Sequence, residues 1–138
     1  MTSTAEDMLE VVRKYEDYYN TDMQRCIREV YAADCNVHGV DIGGHRHMAG
    51  TQQFLDSEAR IQQLSPNRTI KVLRTRVAED IVIVDGVVTS DDRPGWSLPY
   101  RSLLTIKDGQ IVEDWTFADY KAGWPELRPE NHPVNTEL

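Results

Sequence analysis

Asp114 is the residue of this chain best placed to move a proton. It stands in Ile111-Val112-Glu113-Asp114-Trp115-Thr116-Phe117, a run that reads as a strand closing a hairpin. A carboxylate turned into an apolar hollow loses hydration, which disfavours its charged form and lifts its pKa toward the range where it can take and give a proton at neutral pH. The plainer reading is a strand aspartate paired with an arginine or reaching the rim. Tyr15 could act beside it, donating a hydrogen bond to a ligand oxygen, or it could be a core tyrosine with a satisfied hydroxyl. His38, His45 and His47 crowd one strand and the loop after it, and an imidazole with an ordinary pKa near ~6.5 is a ready acid or base. Alternation from Val37 turns His38 away from the hollow unless a bulge intervenes. His45-x-His47 has no assigned carboxylate partner, so it reads as a polar, ligand-facing loop and not as a metal site. Tyr19, Tyr100, Ser102 and Thr116 supply further hydroxyls to orient a ligand, although those on the strands could satisfy one another across the sheet.

The elements that must carry these groups follow from periodicity. Met8, Val11, Val12, Tyr15, Tyr18 and Tyr19 recur at helical spacing and predict a first helix over residues 6–19. Asn20-Thr21 offers a cap, and Met23, Cys26, Ile27, Val30 and Tyr31 predict a second, shorter helix. A short strand over 35–40, a Gly- and His-rich loop over 42–47 and a third helix over 51–64 come next, and Pro66 ends the region. The period then changes to two, and residues 69–77, 81–89, 98–106 and 111–117 read as four antiparallel strands. The layout is α+β, with three N-terminal helices covering one face of a curved, mainly antiparallel sheet that encloses a pocket.

The last hairpin decides which side chains share a face. A two-residue turn at Asp108-Gly109 pairs Leu103 with Asp114, whereas a three-residue loop with Gly109 as a bulge sets Ser102 opposite Asp114 and Tyr100 opposite Thr116. We expect the second, which lines one face with Tyr100, Ser102, Leu104, Val112, Asp114 and Thr116, apolar with a few polar groups as a ligand pocket requires. The other face then holds Arg101, Leu103, Glu113, Trp115 and Phe117, and its aromatic pair predicts a homodimer joined sheet to sheet.

Composition narrows the partners. Fifteen Lys plus Arg against 23 Asp plus Glu give a net charge of -8, the wrong sign for nucleic acid or an anionic membrane surface. No segment approaches a membrane span and no leader is evident, so a cytoplasmic protein is expected. Cys26 and Cys35 lack metal spacing and read as buried free thiols. Gly-x-Gly-x-x-Gly, Gly-x-x-x-x-Gly-Lys and Gly-x-Ser-x-Gly are all absent from the sequence, so no cofactor is expected. A length of 138 residues fits one domain, with a core over about 6–121 and an irregular tail over 122–138 that carries Pro125, Pro129 and Pro133.

The element order, together with Val30-Tyr31-Ala32-Ala33-Asp34-Cys35-Asn36-Val37-His38-Gly39 and Asp108-Gly109-Gln110-Ile111-Val112-Glu113-Asp114-Trp115, resembles the nuclear-transport-factor-2-like superfamily, and its SnoaL-like and ketosteroid-isomerase-like branches most. The resemblance covers residues 6–121 and implies a cone of helices and sheet around a deep apolar pocket, commonly cofactor-free and dimeric. It also implies that the base of ketosteroid isomerases falls at Gly39. Their oxyanion-hole acid and the histidine of SnoaL-type cyclases fall at Ser102. The acid of those cyclases falls at Thr116, and the aspartate of the related dehydratases at Asn20. No one of these patterns is intact here, and Asp114 lies one inward-facing step from Thr116. The expectation is a cofactor-independent polyketide cyclase, isomerase or dehydratase acting on a small apolar, carbonyl-bearing substrate, with Asp114, Tyr15 and His38 as the catalytic set. A non-catalytic ligand-binding or dimeric scaffold module of the same fold is the alternative.

Overall fold

A computed structural model describes residues 4–41 and 44–119. The first helix, α1 (Ala5–Thr21), begins where Thr4 and Asp7 satisfy each other's backbone N–H groups, a capping box that settles two of the donors every helix start leaves open. Its buried stripe is Met8, Val11, Val12 and Tyr15, the helical periodicity expected. The cap after it is Asp22, and not Asn20-Thr21: the Asp22 carboxylate accepts from the Arg25 N–H and starts α2 (Met23–Arg25). That helix runs into a π-helical turn, Cys26–Val30, which buries Cys26, Ile27 and Val30. The widened turn ends one residue short of the expected helix, so Tyr31 opens a strand.

Six strands form one sheet: β1 (Tyr31–Asp41), β2 (Gly44–Ala49), β3 (Arg68–Ala78), β4 (Ile81–Ser90), β5 (Ser97–Lys107) and β6 (Gln110–Ala118). Their order is β2-β1-β6-β5-β4-β3, antiparallel throughout except where β1 runs parallel to β6. The sheet is therefore mixed, open and curved, and α3 (Gly50–Leu64) lies between β2 and β3 in the chain. Residues 45–47, expected as loop, belong to β2, pairing His38 with His47 and Gly39 with Arg46. Helix α1 packs on β3, and α3 packs on β1 and β2. Among the described residues no helix is long and apolar enough to cross a membrane. The proposed C-terminal tail lies outside the described residues.

Strand β3 is a sheet edge, where unpaired backbone groups invite aggregation. Helix α1 occupies them: Asn20 accepts from the Ile70 N–H at 2.8 Å and donates to the Ile70 carbonyl at 2.9 Å, and Glu16 accepts from the Val72 N–H. Asn20 therefore does the work of a neighbouring strand and ties α1 to the sheet.

The β5–β6 hairpin takes neither expected register. Asp108 and Gly109 have φ of 52° and 77°, the left-handed pair of a two-residue type I′ turn, and Lys107 faces Gln110. A bulge then inserts Val112 between the Ile106–Ile111 and Thr105–Glu113 pairs. Leu104 consequently faces Asp114, Ser102 faces Thr116 and Tyr100 faces Ala118. This register differs from the expected one by two residues, an even slip that leaves Tyr100, Ser102, Leu104, Asp114 and Thr116 on one face. Only Val112 changes place, ceding the interior to Ile111, which is fully buried.

Candidate functional site

Between the sheet and the helices lies a cavity of about 110 Å³, walled by Ile27, Phe54, Ile70, Val88 and Leu98 and reached by Tyr15, Tyr31, Tyr100 and Asp114. Bulged β6 delivers Asp114 to it, only 4% exposed. Tyr31 Oη donates to Asp114 Oδ2 at 2.6 Å and Thr116 Oγ1 donates to Oδ1 at 2.6 Å. Ser102 lies 2.7 Å from Thr116, and because the Thr116 proton is already committed, Ser102 is the donor there. A relay Ser102→Thr116→Asp114←Tyr31 results. Burial raises the Asp114 pKa to about 6, and the hydroxyls of Thr116 and Tyr31 pull it down without cancelling the desolvation.

Tyr15 projects from the inner stripe of α1, and its hydroxyl is 3.1 Å from that of Tyr100. Burial is the main cause that lifts both phenols, Tyr100 to about 12 and Tyr15 well above its ordinary value, so both stay protonated donors. Gly86 makes room for this pair. It faces Tyr100 across β4 and β5, and a Cβ there would lie 2.5 Å from the Tyr100 ring. Tyr31 also meets Phe54 of α3 edge to face, with ring centroids 4.9 Å apart, which fixes the phenol that holds Asp114.

A second polar group borders the same cavity. Arg46 of β2, 5% exposed, Arg68 at the start of β3 and Glu58 of α3 all line it, with Tyr19 beside them. The Tyr19 hydroxyl hydrogen-bonds Arg68, and burial drives its pKa upward. Burial also raises Glu58, against the opposing pull of Arg68 and Arg46. Cys26 and Cys35 are free and buried, and burial lifts both thiols, Cys35 to about 11, which leaves them poor nucleophiles.

The imidazoles gather elsewhere. His38 borders the cavity, but its ring stacks on Trp115 at 3.7 Å and on His47 at 4.5 Å, and its Nδ1 is 3.0 Å from His45 Nε2. Alternation along β1 and β6 puts this stack on the outer face, as the spacing from Val37 predicts, with His45 and His47 carried there by β2 instead of a pocket-mouth loop. Burial, then the charges of His47 and His45, hold His38 down to about 4, so it is neutral at physiological pH. Among the described residues no three His, Cys, Asp or Glu side chains gather to hold a metal ion.

Of the residues expected at the site, the structure brings together Asp114, Tyr15, Tyr100, Ser102 and Thr116, sets Tyr19 on the cavity wall, and groups His38, His45 and His47 on the opposite face. Reading the sequence missed Tyr31, Glu58, Arg46 and Arg68. The first was absorbed into a helical stripe, and the three charged residues have no shared motif.

Solved structures match this architecture. Wild-type IdmH from Streptomyces antibioticus, described as a candidate polyketide cyclase, is 19% identical over 83% of this chain and 94% of its own, with a TM-score of 0.68. A candidate SnoaL-like polyketide cyclase from Jannaschia sp. CCS1 is 19% identical over 88% and 93%, with a TM-score of 0.69. A protein with a ketosteroid isomerase-like fold from Catenulispora acidiphila, in complex with trimethylamine, is 20% identical over 82% and 88%, also with a TM-score of 0.69. At these identities the likeness is one of fold. No curated protein matches significantly. The SnoaL-like domain family matches residues 12–114, a span that runs from the inner stripe of α1 to the buried carboxylate of β6, and the chain belongs to that family.

Proposed function

We propose that this protein is a cofactor-independent acid/base enzyme of the cyclase or isomerase type, acting on a small apolar substrate with a carbonyl group. The observation that carries the reading is the buried Asp114 carboxyl, poised at about 6 and held by Tyr31 and Thr116 in the same cavity as the Tyr15–Tyr100 hydroxyl pair. Above about pH 6 the carboxylate is ionised and can take a proton from carbon next to the substrate carbonyl, using a lone pair that the two hydroxyls leave open. The negative charge then develops on the carbonyl oxygen. Within the tyrosine pair one hydroxyl donates to the other, and the acceptor's own proton is left to meet that oxygen. Protonated Asp114 returns its proton to a second carbon or to a leaving oxygen, giving isomerisation, ring closure or loss of water.

Deuterium incorporation into 2-tetralone in heavy water tests this without the natural substrate. Exchange is expected to exceed the buffer rate, to rise with pH through about 6, and to fall by about 10²–10⁴-fold in Asp114→Asn, the usual worth of a positioned general base. Exchange that is unchanged in Asp114→Asn, or ligand binding with no exchange at all, ends the proposal, and the latter outcome would leave a ligand-binding module. We propose as well that the outer face pairs with a second copy of the chain, since Phe117, 41% exposed, extends the His38–Trp115 stack into solvent.

A further inference from the structure

The cavity holds charges that proton transfer at Asp114 does not use. Arg68, Arg46 and Glu58 bring two guanidinium groups and a carboxylate to its wall. Burying a guanidinium is costly unless its charge and its donors are met. At Arg68 they are met in part: Tyr19 takes one hydrogen bond and the Trp96 ring lies 5.7 Å from the guanidinium carbon, while Nε and Nη1 are buried with no hydrogen-bond partner among the described residues. Glu58 Oε2 is likewise buried without a partner. Donors left in this way have lost their hydration without a replacement, a cost that a ligand anion would recover.

Their placement sets them apart from the proton-transfer end. Arg68 pairs with Ser90, whereas the residue facing Asp114, Leu104, pairs with Val82, eight positions away along β4. The curved sheet and the span of α3 that carries Glu58 bring both ends to one cavity, and the wall between them is apolar: Ile70, Val88 and Leu98. A ligand filling it would have a polar group at each end and a hydrocarbon body in between.

We propose that Arg68, with Arg46 and Glu58, forms an anion subsite, and that the substrate carries a carboxylate there, separated by an apolar ring system from the carbonyl that Asp114 and the tyrosine pair address. This rests on the proposed chemistry only for the carbonyl end. A carboxylate supplies the acceptors that the Arg68 donors lack. Glu58 then acts against the ligand as well as for the arginines, which makes its removal informative.

The test is calorimetric titration of the full chain at pH 7.5 with 2-naphthoate and with 2-naphthamide, its uncharged isostere. The naphthoate is expected to bind at least tenfold more tightly. Arg68→Met should bring that preference below threefold, and Glu58→Gln, which keeps the shape and removes the competing charge, should widen it severalfold. Equal affinity of the two compounds, absence of naphthoate binding, or a preference unchanged in both variants would overturn the subsite. Because Glu58→Gln is nearly isosteric, it keeps the question open to refutation should Arg68→Met fail to fold. The two proposals fail separately. Tetralone exchange without a naphthoate preference removes the anion subsite alone, and a preference without exchange removes the proton chemistry alone.

Discussion

Replacing Asp114 by Asn should change how folding stability depends on pH, and the size of the change follows from the site. The ordinary carboxyl value is 3.8, and in the folded protein Asp114 titrates at about 6. Each tenfold difference in proton affinity is worth about 1.4 kcal/mol, so ionising Asp114 inside the fold costs about 3 kcal/mol more than ionising it in the unfolded chain. The sign follows from the raised value. Below 3.8 both states are protonated and nothing is lost. Between 3.8 and about 6 the unfolded chain releases its proton first, so stability falls as pH rises, and beyond about 6 the loss is complete. Asn cannot ionise, and it fits the existing bonds: its Oδ1 can accept from Tyr31, and its Nδ2 can donate to Thr116 if the Ser102–Thr116 bond reverses. The stability of Asp114→Asn relative to the parent should therefore increase by about 2 kcal/mol between pH 4 and pH 8, most of the full linkage. Urea unfolding of both proteins at half-unit pH intervals measures it. Taking the difference between them removes titrations common to both, such as Asp85, which its bonds to Arg101 and Arg74 hold down to about 2. A difference that does not vary with pH would refute a buried, strained carboxyl, and the proton chemistry with it.

Three further perturbations address the surroundings. Tyr31→Phe removes a hydrogen bond worth more to the charged carboxylate than to the neutral acid, so the acid limb of tetralone exchange should move up from about 6 by about one pH unit; an unmoved limb would show that Tyr31 does not hold Asp114. Gly86→Ala puts a methyl where the Tyr100 ring now lies and should cut the exchange rate at saturating ketone by about tenfold with little change in the pH profile; full activity would mean that the Tyr15–Tyr100 contact is dispensable. Trp115→Glu places a charge in the outer stack and should turn a sedimenting dimer into a monomer, whereas an unchanged sedimentation coefficient would exclude this face as the interface.

Much of the scaffold is legible in the chain. Strands β3 to β6 are rich in β-branched and other apolar residues between polar turn clusters, and α1 repeats at 3.6, so each of these elements declares its type. Strand β2 does not, because its inward positions are Arg46 and Met48. A buried arginine reads as exposed, and the adjoining glycines then suggest a loop. Tyr31 was hidden for another reason: it continues the helical spacing from Ile27, and only the widened turn at Cys26–Val30 ends the helix before it and swings its hydroxyl toward Asp114. Alternation alone can place Asp114 on a face. It cannot bring Glu58, Arg46 and Arg68 together, since they come from α3, β2 and β3 and meet only when the sheet curves.

The bulge at Val112 connects these observations. An Asp-Gly pair favours a two-residue turn, and that turn alone would put Leu103 opposite Asp114, with the carboxylate on the wrong side of the sheet for the cavity. One inserted residue corrects the alternation, so Ile111 fills the core near the turn while Asp114 and Thr116, further along, face inward. Keeping the carboxylate there lowers stability at neutral pH by about 3 kcal/mol, and an asparagine would use much the same hydrogen bonds without that cost. Structure alone gives no reason to prefer the acid over the amide. The proposed proton transfer would, because an ionisable group at about 6, with its charge stabilised by two hydroxyls and two more beside it in the cavity, is what such chemistry requires.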